Sequence, residues 1–74
     1  MTAYTKSTFL YKLAVIPRGQ SIMYHAGYLY EDRTKQPRLH ELAAAVYDEY
    51  RAGNCALVQR RHGNKRYDYY AVKL

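Results

Sequence analysis

One cysteine, no tryptophan, a single phenylalanine and only two prolines set the first limits on this 74-residue chain. The lone Cys55 excludes an intramolecular disulfide, and with it the stapled scaffolds that small secreted domains rely on. No apolar run approaches the roughly 20 residues needed to span a bilayer. No charged start followed by an apolar stretch marks a secretory signal. The expectation is a cytoplasmic protein with no membrane contact.

Catalytic signatures are missing too. There is no G-x-x-x-x-G-K-[ST] loop to cradle phosphates, no G-x-S-x-G elbow and no separated pair of carboxylates in an evident cleft. His25, His40, Cys55 and His62 form neither a C-x-x-C nor an H-x-x-x-H pair, so the spacings of a structural zinc site are absent. A chain of this size buries only about 60% of its unfolded surface, too little to wall a deep cleft. The reading is a single domain over residues 1–74 that is not an enzyme and holds no cofactor and no metal.

Two things are abundant. Ten tyrosines suit either strand positions that shield a small core or a surface made for contact. The formal charge is +6, unevenly placed. Residues 1–30 carry Lys6, Lys12 and Arg18 without an acid; residues 31–50 hold five of the six acids; from 51 onward six bases meet only Asp68. The positive field belongs to the two ends.

Residues 1–7 lack periodicity and are expected to fray. The segment TFLYKLAVI (8–16) is rich in β-favouring residues and is stopped by Pro17 and Gly19, which predicts a strand. SIMYHAGYLYEDR (21–33) fits a strand to about Tyr28 followed by a helical turn from Leu29 to Arg33, or a helix begun at Ser21 with Gly27 at a cost of about 1 kcal/mol inside it. PRLHELAAAVYDEYRAGN is an amphipathic helix near 37–52: Pro37 opens it, Leu39, Leu42, Ala43, Val46, Tyr47 and Tyr50 form its expected apolar side, and Gly53 ends it. His40, Glu41, Asp48 and Glu49 are its solvent side. Two β-type runs, 55–61 and 66–73, flank a turn. The fold expected is α+β: a small antiparallel sheet of strands near 8–16, 21–28, 55–61 and 66–73, with the 37–52 helix on one face.

The stretch RRHGNKR (60–66) gathers four fixed cations and no acid. With Gly63 and Asn64 as a two-residue loop, Arg61 would oppose Arg66 and Arg60 would oppose Tyr67. Like charges directly across a ribbon repel unless an anion neutralises them, and guanidinium groups fit phosphate oxygens in a two-pronged geometry. Arg60, Arg61, Lys65 and Arg66 are therefore the candidate charges for a nucleic-acid backbone, with Tyr67 as a stacking surface. Other readings are a protein-interaction module using a Tyr/Arg-rich surface, and a homodimer. His25 is expected to play a hydrogen-bonded structural role, and Glu31 and Asp32 a capping or salt-bridge role.

A helix followed by a basic hairpin is also how a winged helix-turn-helix module ends. Here the helix presents Glu41, Asp48 and Glu49, acids that a DNA groove would repel, so the hairpin and the basic N-terminal half are better candidates to touch nucleic acid than the helix. The phrases YHAGYLYEDR (24–33) and LVQRRHGNKRYDYYAVK (57–73), joined by an alanine-rich helix, resemble small uncharacterised phage and prophage proteins. That resemblance implies a bacterial cytoplasm as the setting, with nucleic acid or a host protein as partner.

Overall fold

Thr5 opens the first helix. Its hydroxyl accepts the Thr8 N–H at 3.2 Å while its own N–H donates to the Thr8 hydroxyl at 2.9 Å, a reciprocal cap on the first turn of α1 (Lys6–Val15). Phe9 and Leu13, four residues apart, fall on one helical face and are buried together. Ile16, forced extended by the proline after it, ends the helix. The strand expected over 8–16 is thus a helix, in a computed structural model that describes residues 4–74. In a strand Phe9 and Tyr11 would share a face; here Phe9 is fully buried and Tyr11 is 72% exposed. Residues 6 and 7, expected to fray, form the first turn of α1, and the same expectation for residues 1–3 lies outside the described residues.

A turn at Pro17–Gln20 leads into β1 (Ser21–Gly27), which settles the ambiguity of 21–33 in favour of a strand and then a helix. An irregularity in β1 between Met23 and His25 lets the neighbours Tyr24 and His25 both turn inward, where strict alternation would bury only one. α2 (Leu29–Lys35) follows, and Gln36 alone separates it from α3 (Pro37–Arg51), whose first residue is the expected proline. Leu39, Leu42 and Val46 carry α3 onto the core, as their spacing predicts. Tyr47 and Tyr50 remain exposed, with ring centroids 5.8 Å apart.

β2 (Cys55–Gly63) and β3 (Arg66–Lys73) close the chain as an antiparallel hairpin, and β1 adds to the far side of β3. The sheet has three strands in the order β1-β3-β2. The α+β class is as expected, with three helices and three strands in place of one helix and four strands.

Alternation divides the sheet into two faces. Ile22, Tyr69, Ala71 and Cys55 point to the helices and join Phe9, Leu13, Leu39 and Leu42 in the core. The opposite face carries Met23, Val58, Tyr70 and Val72; Met23 and Val58 are exposed. No described helix is long and apolar enough to cross a membrane.

Candidate nucleic-acid interface

The hairpin register differs from the simplest reading by one residue. Gly63 belongs to β2 and pairs with Arg66, so Asn64 and Lys65 form the loop, with Lys65 at φ 56°. The shift lies between Arg61 and Gly63, where His62 is the extra residue. Below it Arg61 faces Tyr67, Arg60 faces Asp68 and Gln59 faces Tyr69. The expected Arg61–Arg66 and Arg60–Tyr67 pairs do not form. Two contacts hold the shifted register: the His62 imidazole meets the Asp68 carboxylate, and Lys65 Nζ donates to Glu31 Oε1 at 2.9 Å. A local turn rule cannot anticipate a bond that comes from α2, 34 residues earlier in the chain.

The four cations therefore do not act alike. Lys65 is paired with Glu31, and that hydrogen bond holds its ammonium above the ordinary lysine pKa. Arg61 lies on the helix side of the ribbon, beside Tyr67, with Nε donating to the Gly63 carbonyl at 3.2 Å. Arg60 and Arg66 lie on the open face, on either side of Asp68. Both are exposed, and neither forms an ion pair with any described residue. With Asp68 engaged by His62 and by the Tyr70 hydroxyl at 3.4 Å, their charge faces solvent.

Tyr67 is half-buried and sits in a run of rings that the sequence reading did not connect. Tyr67 stacks on Tyr28 at 6.1 Å and 28°, Tyr28 meets Tyr30 at 6.2 Å, and on the other side Tyr69 leads through Tyr24 to Phe9. The run passes from the core to Tyr30, which is 75% exposed. A cleft of about 390 Å³ opens between α2 and the hairpin, lined by Tyr28, Leu29, Tyr30, Arg33, Gln59, Tyr67 and Tyr69. Tyr28, Tyr30 and Arg33 are the residues that sequence reasoning missed; the signal was Tyr-x-Tyr at the start of a short helix with an Arg three residues on.

Asp32 fixes that helix. Its Oδ2 takes a hydrogen bond from His25 Nε2 at 2.8 Å and one from the Tyr28 N–H at 3.1 Å, so β1 and α2 share one carboxylate. The His25 bond is the main reason its carboxyl sits below the ordinary aspartate pKa, outweighing the upward push of burial. Gly27 makes the approach feasible: its φ is +137°, and a Cβ there would lie 2.6 Å from Asp32 Oδ2. The Tyr69 hydroxyl then accepts the Leu29 N–H at 3.1 Å, locking the start of α2 over the sheet. His25 and the Glu31–Asp32 pair thus have the structural roles their sequence context suggested.

Among the described residues no group of three His, Cys, Asp or Glu side chains could hold a metal ion. Cys55 is buried against the Val46 carbonyl, and burial pushes its thiol pKa up, away from reactivity. No protein-family model matches the chain, and no curated protein or solved structure is significantly similar to it.

Proposed function

We propose that this chain is a small, non-enzymatic binding protein that uses the β2–β3 hairpin to grip the phosphodiester backbone of a nucleic acid. One observation carries the reading: Arg60 and Arg66 stand exposed on one face of the ribbon, and no carboxylate among the described residues is paired with either. Phosphate oxygens are the partners their geometry suits best. The chain's end carries most of the net charge, which adds long-range attraction to any polyanion.

The acids of α3 give the hairpin the leading part. His40, Glu41 and Asp48 are exposed on that helix, and a groove-reading helix with two carboxylates outward would meet repulsion from the phosphates on either side. A helix followed by a basic ribbon keeps the order in which a winged helix ends, but the contact proposed is with backbone and tolerant of sequence. The setting proposed is the bacterial cytoplasm, on the resemblance of residues 24–33 and 57–73 to phage and prophage proteins.

The test is a mobility or anisotropy assay over a salt series, comparing wild type with Arg60→Ala/Arg66→Ala. Losing two phosphate contacts lowers the log K against log salt slope by about 1.8 on duplex DNA. An unchanged slope and affinity would remove the reading. A second reading, a protein-docking surface, is favoured by the exposed Met23 and Val58 on the open sheet face. A stoichiometric protein partner retained after nuclease treatment would favour it.

A further inference from the structure

We propose that the cleft between α2 and the hairpin receives an unpaired base, so that the protein prefers single-stranded nucleic acid to duplex. The proposal rests on the backbone-binding reading and goes further by naming the form of the polymer. Three features of the cleft point the same way.

The first is its wall. Tyr28 and Tyr67 are already stacked, and Tyr30 stands beside them with most of its ring in solvent. Tyr30, tilted 54° from Tyr28 and largely in solvent, keeps a free face on which a flat ring can stack, and every base offers such a ring. The second is its polar lining. The Arg33 guanidinium and the Gln59 amide border the same space, and both can hydrogen-bond the edge of a base that has no pairing partner. The third is its position. Arg61 shares the helix-side face of the ribbon with Tyr67, so a strand whose base enters the cleft passes its phosphates by a cation. The cleft volume of about 390 Å³ lies within the usual range for small-molecule sites. A base within a duplex is stacked and paired, and would have to be turned out of the helix to enter.

Tyr30 is the residue to change, because its exposure means that truncation leaves the core intact. Anisotropy of a fluorescein-labelled oligothymidine, of the same strand annealed to oligoadenosine, and of oligouridine reads the preference directly. Wild type should hold a single strand more tightly than the duplex, and tighter binding of either single strand meets the expectation while telling which of the two polymers the cleft accepts better. Tyr30→Ala should lose about tenfold on the single strand with little change on the duplex, and Tyr30→Phe should keep wild-type binding. If Tyr30→Ala binds the single strand as wild type does while Arg60→Ala/Arg66→Ala weakens every probe, the base slot is wrong and the backbone reading stands. If wild type binds none of the probes, both are wrong.

Discussion

Nε2 of His25 lies 2.8 Å from Oδ2 of Asp32, joining a fully buried ring of β1 to the first turn of α2. The carboxyl pKa is lowered from its ordinary value near 3.8, chiefly by that bond. A depressed carboxyl stabilises the fold above the unfolded pKa of about 3.9, and the contribution is lost as pH falls through the folded value. Asp32→Asn keeps an oxygen for the Tyr28 N–H but loses the charge. At neutral pH it should cost about 1–2 kcal/mol. The gap between the two melting temperatures should close below about pH 4, and a gap unchanged into strong acid would contradict the assignment.

Gly27→Ala attacks the same junction sterically. Its Cβ would fall 2.6 Å from Asp32 Oδ2 and 3.2 Å from His25 Nε2 at a φ of +137°, so strain and collision add. At Gly53, with φ +82°, there is open space and strain alone. Denaturant melts should show Gly27→Ala as the more damaging of the two, beyond the roughly 1 kcal/mol expected of strain.

Glu31 neutralises Lys65 across the cleft rim, and both side chains are exposed, where an ion pair adds little to stability. Glu31→Gln should therefore leave the melting temperature almost unchanged while freeing a fourth cation. Binding to duplex DNA should tighten, with a salt slope steeper by about 0.9. A weaker complex would mean that the ion pair positions the hairpin tip.

Phe9 and Tyr11 separate helix from strand at the N-terminal end. Phe9 is fully buried and packs edge-on to Tyr24 at 6.0 Å. Phe9→Ala should cost about 3–5 kcal/mol, most of what so small a domain has. Tyr11→Ala should stay within about 0.5 kcal/mol, because its ring lies in solvent. Equal costs would argue for the strand.

Burial pushes the Tyr24 hydroxyl up to about 12 and raises Tyr69 as well. Groups whose pKa is raised on folding stabilise the fold below the unfolded value, near 10, and lose that contribution as pH climbs through the folded one. Tyrosinate absorbance should show a late alkaline step that coincides with loss of the far-ultraviolet dichroism.

The long helix and the hairpin were legible because each states its period plainly: Leu39, Leu42 and Val46 recur at helical spacing, while 55–61 and 66–73 flank a Gly-Asn signal. The N-terminal helix was not. Its buried residues are only Phe9 and Leu13, with Leu10 partly covered beside them, its other aromatic points to water, and its cap is a pair of threonines in place of the usual Thr and Glu. Packing against α3 decides it, and a window of nine residues holds no record of that contact. The hairpin cations were legible as a group but not by side, since the slip at His62 depends on Asp68 and on Glu31. The cleft was least visible of all, being assembled from Tyr28 to Arg33 and Gln59 to Tyr69, segments that meet only in three dimensions.

The strand order leaves β2 at one rim of the sheet, with a row of backbone groups that any extended peptide could join. Arg60, Arg61 and His62 crowd that rim, and a second copy arriving there would bring the same charges. The charge of these side chains therefore opposes such pairing between copies. Replacing Arg60 and Arg61 with alanine should leave that rim more prone to edge-to-edge pairing.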